Sequence, residues 1–170
     1  SVPGLVSDDV VNELCHVSEK IASLLSLTTG IFHIQYILHK GHPVIIEICR
    51  RAPGDLYNKL VEIATGVDYS SFIVRASAGL DCEELEHEDP KGFFTRYCVM
   101  ASQSGTLKDI IFDESLNDMI VDKLMWWKPG DKVTDVLTTK FGIVFVKFGS
   151  QEEMMEKTEK LHDLIYCRIE

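Results

Sequence analysis

An α+β fold is predicted by three observations. Two apolar runs meet at a short polar turn around Gly41, which is the signature of a β-hairpin. Stretches with apolar residues at helical spacing stand before and after that hairpin. From residue 92 onward, short apolar runs alternate with Gly, Pro and Asp turns until a last helical stretch, the pattern of an antiparallel sheet closed by a helix.

Taken in order, Ser7 is a candidate N-cap, and Asp8 and Asp9 after it suit the positive end of a helix. Val10, Leu14, Val17, Ile21 and Leu24 form an apolar stripe that carries this helix to about Ser26. The hairpin strands are Ile31 to Leu38 and Val44 to Cys49, joined at Lys40-Gly41-His42. If that turn sets the register, residues whose numbers sum to 82 face each other, so Gln35 opposes Glu47 and His33 opposes Cys49. Ile34, Tyr36, Val44, Ile46 and Ile48 are assigned to the other face. In a strand that reads as buried, Glu47 requires a cation, because an unpaired buried carboxylate costs several kcal/mol. Asp55 to Gly66 reads as an amphipathic helix with Gly66 as C-cap, and a second helix runs from about Tyr69 to Ala78 and ends at Gly79.

Residues 81 to 90 hold six acids and no periodicity. We therefore divide the chain into residues 1–80, an acidic linker at 81–91, and a β-rich part at 92–170. In that last part Gly92 to Ala101, Thr106 to Phe112, Met119 to Trp127, Thr134 to Thr138 and Gly142 to Phe148 are the expected strands. Ser150-Gln-Glu-Glu153 is a capping-box sequence that opens a helix running toward Tyr166.

Composition narrows the functional classes. At 170 residues and 45% hydrophobic the chain can bury a core of its own. A net charge of −10 argues against nucleic acid and anionic membranes as partners. No apolar run approaches the roughly 20 residues of a membrane span. Five scattered cysteines with no Cys-x-x-Cys pair argue against a disulfide framework or a zinc site and for a reducing, cytoplasmic setting. The six histidines show no paired metal spacing, although His33 falls on the face assigned to Glu47. Trp126 and Trp127 are assigned to core and rim.

The hairpin carries a more specific pattern. Gly30-x-x-x-x-Gln35, eleven further residues, and then Glu47-Ile-Cys-Arg-Arg-Ala-Pro-Gly-Asp55 resembles the metal-binding hairpin of the ATP-grasp superfamily. Leu60-Val-Glu-Ile-Ala-Thr-Gly-Val-Asp68 is also similar to the helix that follows it in those ligases. The resemblance covers residues 7 to 80. Beyond Pro90 it thins to a general similarity with the C-terminal domains of amino-acid ligases and biotin carboxylases, carried by strand order and by turns such as Lys128-Pro-Gly-Asp131.

The resemblance implies the back half of an ATP-grasp domain plus a C-terminal antiparallel-sheet subdomain with a closing helix. It implies a parent enzyme that uses ATP and Mg²⁺ to ligate a small-molecule carboxylate to an amine, or to a thiol, through an acyl phosphate. Glu47 and Gln35 fall on metal-ligand positions. Arg51, with Arg50 beside it, falls on the phosphate or carboxylate clamp, and Glu47, Cys49 and Gly54 fall on cofactor-binding positions. Two departures stand out. Cys49 replaces the usual Asn, and a thiol suits Mg²⁺ poorly; Gln35 replaces an acid, as in the carbamoyl-phosphate synthase branch. The family's nucleotide-holding lysines and glycine-rich loop would lie upstream, in a partner subdomain of the same polypeptide. The expectation is therefore a C-terminal fragment that is inactive alone, with a homodimer left open. The alternative is a non-catalytic ATP-grasp-like module for binding or assembly.

Overall fold

The computed structural model describes residues 1–170, which divide into two units: Gly4–Asp89, and Ser1–Pro3 together with Pro90–Glu170. The first unit opens with helix α1 (Asp8–Leu24). Ser7 occupies its N-cap position in extended conformation, but its side chain makes no capping hydrogen bond. The two acids of the first turn are left to favour that end. Strands β1 (His33–His39) and β2 (His42–Cys49) form the hairpin, and α1 packs against β2.

Helix α2 (Tyr57–Thr65) buries Leu60 and Ala64 and ends at Gly66, whose φ of +85° permits its N–H to reach the Glu62 carbonyl at 2.8 Å. It begins two residues later than expected, because Asp55 and Leu56 both have positive φ and cannot continue a right-handed turn. Helix α3 (Tyr69–Ser77) is capped by Asp68, which accepts from Ser71 N at 3.0 Å. The Glu62 carboxylate ties α2 to α3 by accepting from Ser70 N and Oγ at 2.9 and 2.6 Å.

The second unit holds strands β3 (Phe93–Met100), β4 (Gly105–Phe112), β5 (Ile120–Met125), β6 (Lys132–Val133) and β7 (Lys140–Phe148), then helix α4 (Gln151–Leu164) and strand β8 (Ile165–Ile169). They form two antiparallel three-stranded sheets, in the orders β3-β7-β5 and β6-β4-β8. Helix α4 packs against β3, β7 and β8. Val99, Leu107, Val144, Val146, Met154 and Leu161 are wholly buried between these elements. Truncating Leu107, Met154 or Leu161 to Ala would cost about 2–5 kcal/mol. Ser150 accepts from Glu153 N at 3.1 Å and Glu153 accepts in return from Gly149 N at 2.8 Å, so the capping sequence acts as expected.

Two elements differ from expectation. Thr134–Thr138 is a turn: the Asp135 carboxylate accepts from Thr138 Oγ1 at 2.7 Å and from Leu137 N at 2.9 Å, bonds that fold the backbone locally and hold that carboxyl below its usual range. The closing helix stops at Leu164, and the chain continues directly into β8, where Ile165 faces Phe112 and Cys167 faces Ile110. Trp127 packs on the core, while Trp126 stays half exposed and donates from Nε1 to the Lys140 carbonyl at 2.7 Å. All five cysteines are free, and no helix is long and apolar enough to cross a membrane.

Candidate functional site

The site is built on the β1–β2 hairpin. Lys40 and Gly41 have φ of 52° and 85°, so the turn has two residues of the type that matches strand twist. Such a turn sets pairs that sum to 81: His39 faces His42, Ile37 faces Val44 and Tyr36 faces Ile45. Continued unchanged, it would put Ile46 opposite Gln35 and turn Glu47 to the far face. A bulge between Gln35 and Tyr36 absorbs Ile46, after which Gln35 faces Glu47, Ile34 faces Ile48 and His33 faces Cys49. The expected pairs are therefore present, but the turn alone does not produce them. Val44, expected beside Tyr36 and Ile48, pairs with Ile37 instead.

Gln35 and Glu47 are both exposed. The burial argument for a cation thus fails, since a solvated carboxylate needs no counter-charge. Nor is Glu47 half of a local ion pair. Arg50 donates from Nη1 to the Gly30 carbonyl at 3.0 Å and from Nη2 to those of Thr28 and Thr29 at 2.9 and 3.2 Å. Arg51 donates from Nη1 to the Ala52 carbonyl at 3.1 Å, and no ion pair involves Glu47. Glycine is needed at position 30: φ is +143°, and a Cβ would lie 2.6 Å from Arg50 Nη2.

A cleft of about 510 Å³ gathers Gln35, Glu47, Arg51 and Gly54, with His33, Tyr57 and Asp55 beside them. Ile34, Tyr36 and Ile46, assigned to the far face, also reach its wall, consistent with the extra coiling a bulge gives a ribbon. Asp55 and Leu56, with φ of 60° and 57°, hold the loop from Arg51 into α2 in a sparsely populated conformation. Gly54 itself needs no glycine, for nothing lies within 4 Å of a Cβ there.

Two residues carried over by the motif stand apart. The donors of Arg50 are committed to the backbone of residues 28–30, so it holds the start of the hairpin. Cys49 is half-buried and does not line the cleft; its Sγ is 3.3 Å from His33 Nδ1 and donates to the Arg51 carbonyl at 3.7 Å. Tyr57 and Asp55 were missed because the expected helix start at Asp55 placed them inside a helix.

For a divalent ion, the cleft offers the Glu47 carboxylate and the Gln35 amide oxygen from facing strands. No group of three His, Cys, Asp or Glu residues converges anywhere in the chain. Two hard oxygen donors fit Mg²⁺, which keeps most of its shell as water and phosphate, better than a metal that needs an all-protein cage.

No protein-family model matches the chain, and no curated protein is similar enough to match. Solved structures do match. An L-amino acid ligase from Bacillus licheniformis shares 20% identity at a TM-score of 0.83, over 99% of this chain and 43% of its own. Phosphoribosylglycinamide synthetase from Anaerococcus prevotii shares 20% identity at 0.79, over 99% and 44%. The biotin carboxylase domain of 2-oxoglutarate carboxylase from Hydrogenobacter thermophilus, in complex with MgADP and bicarbonate, shares 15% identity at 0.69, over 99% and 38%. At these identities the likeness shows the fold alone, one that this chain shares with part of each of these proteins. The chain spans less than half the length of the structures it matches.

Proposed function

We propose that this chain is part of a cytosolic ATP-dependent ligase and supplies the metal- and carboxylate-binding half of its active site. The observation that carries the reading is the exposed Glu47, facing Gln35 and lacking any ion-pair partner, on the wall of the cleft that also holds Arg51. A carboxylate without an internal partner beside an arginine without a carboxylate is an arrangement suited to an external ligand of mixed charge.

In this reading Glu47 and Gln35 hold Mg²⁺. When bound with ATP, that ion neutralises charge on the phosphates. Arg51 orients a substrate carboxylate, or the phosphoryl group it receives, with a planar guanidinium that can bind two oxygens at once. The carboxylate oxygen takes the γ-phosphoryl group with loss of ADP. An amine then attacks the acyl carbon, and phosphate leaves. Arg50 positions rather than reacts: by fastening residues 28–30 it fixes where β1 begins, and so which face Gln35 occupies. The nucleotide's remaining contacts belong to a further subdomain of the polypeptide. The second reading, a module that binds without catalysis, rests on Cys49, which occupies the family's Asn position but does not itself line the cleft.

The test is Glu47→Gln in the complete polypeptide that carries this chain, assayed as ADP and phosphate release with mixed amino acids. Turnover should fall by roughly 100-fold or more, because charge stabilisation at the phosphates is worth several kcal/mol. The melting temperature should move by less than about 2 °C, as expected for an exposed side chain. Turnover within about threefold of the wild type would remove Glu47 from the mechanism.

A further inference from the structure

We propose that the acid accepted at this site carries an apolar group of roughly leucyl to phenyl size, seated in a second cavity that adjoins the Glu47–Arg51 cleft. The inference rests on the ligase reading above and names its substrate class. The cavity, about 350 Å³, is walled chiefly by Ile31, Phe32, Val61, Phe72, Ile73 and Leu85. It shares His33 and Pro53 with the cleft, and Pro53 is two residues along the chain from Arg51. A carboxylate at Arg51 therefore has an apolar chamber next door.

Three features distinguish this cavity from a packing void. None of its lining residues is fully buried, and Leu85 is 37% exposed, so solvent and solutes can enter. Asn58 and Tyr69, which also line it, spend no side-chain polar atom on an internal hydrogen bond. An apolar pocket with a few unused polar groups is the usual form of a small-molecule site. The third is the wall drawn from the acidic stretch: Cys82 and Leu85 line the cavity and break the run of acids at 81–89. The Cys82 thiol donates to the Phe72 carbonyl at 3.7 Å, which fastens this stretch to α3 beside the cavity.

Charge sets the class. No Asp, Glu, Lys or Arg lines the cavity, so a second carboxylate or an amine there would find no carboxylate, ammonium or guanidinium to pair with. An apolar cavity of about 150 Å³ already admits benzene. The chamber therefore suits a monocarboxylate with a branched or aromatic tail and disfavours dicarboxylic or basic acids.

The test uses the 170-residue chain, isotope-labelled for amide NMR, titrated with hydrocinnamate, acetate, succinate and hydrocinnamyl alcohol. Hydrocinnamate should shift the amides of Val61, Phe72 and Ile73 together with Arg51, with a dissociation constant of about 1–10 mM, the range for a ligand of this size. Acetate and succinate should bind at least about tenfold more weakly, given roughly fourfold per buried methylene. Arg51→Gln, an exposed change, should bring hydrocinnamate down to the level of the alcohol. Equal affinity for acetate and hydrocinnamate, still dependent on Arg51, would overturn the apolar chamber and leave the ligase reading standing. Equal affinity for acid and alcohol, indifferent to Arg51→Gln, would instead contradict the carboxylate clamp of the ligase reading. Absence of shifts at the cavity amides with millimolar hydrocinnamate would overturn the proposal.

Discussion

Arg51 and Arg50 are adjacent and chemically identical, and the structure gives them different work. Arg50 satisfies three carbonyls of residues 28–30, while Arg51 bonds one carbonyl and lines the cleft. Motif matching placed both on the clamp. Only the geometry separates them, because the fit of Arg50 depends on a glycine twenty positions earlier in the chain. If the proposed ligase reading holds, Arg51→Lys should lower kcat/KM of the complete polypeptide by about tenfold or more, since an ammonium cannot reproduce the two-oxygen fork. Thermal stability should be unchanged. A lysine variant with wild-type kinetics would mean that Arg51 provides only charge. Cys49 stands outside the cleft lining. A thiol in place of an asparagine looks like an altered ligand, yet its contacts are with His33 and the Arg51 carbonyl.

At the scale of elements, the hairpin decides whether the site exists. The turn residues Lys40 and Gly41 are legible as a turn, and the alternation that pairs Gln35 with Glu47 is legible as well. The bulge is not, because Ile45-Ile46 reads as two ordinary strand residues. Deleting Ile46 should remove the bulge and leave Gln35 facing Glu47, since the pairs that sum to 81 would then continue without interruption. Interstrand proton contacts between Gln35 and Glu47 in the deletion variant check this; their loss would show that the bulge does more than absorb a residue. Strand β8 escaped notice for a related reason: Leu164-Ile165 contains no glycine or proline to end the helix, and the break comes from pairing with β4. The false strand at Thr134–Thr138 reflects β-branched residues outvoted by Asp135, whose two side-chain bonds make a turn.

At the scale of the molecule, the chain has a fold shared with ligases more than twice its length, and the sequence pattern at residues 30–55 pointed to that fold through one hairpin. The proposed apolar chamber was not legible, because its wall is drawn from residues that α2, α3 and the acidic stretch bring together. If the chain holds half of a nucleotide site, calorimetry should find no micromolar affinity for Mg-ATP and no ATP turnover; a micromolar or tighter constant would show a complete pocket. The most direct test of the central claim, that Gln35 and Glu47 form a divalent-cation site, is paramagnetic line broadening by Mn²⁺ in the labelled chain. Broadening should centre on the amides around Gln35 and Glu47 and disappear in Glu47→Gln. Broadening confined to the acids of residues 81–89, or unchanged by Glu47→Gln, would contradict it.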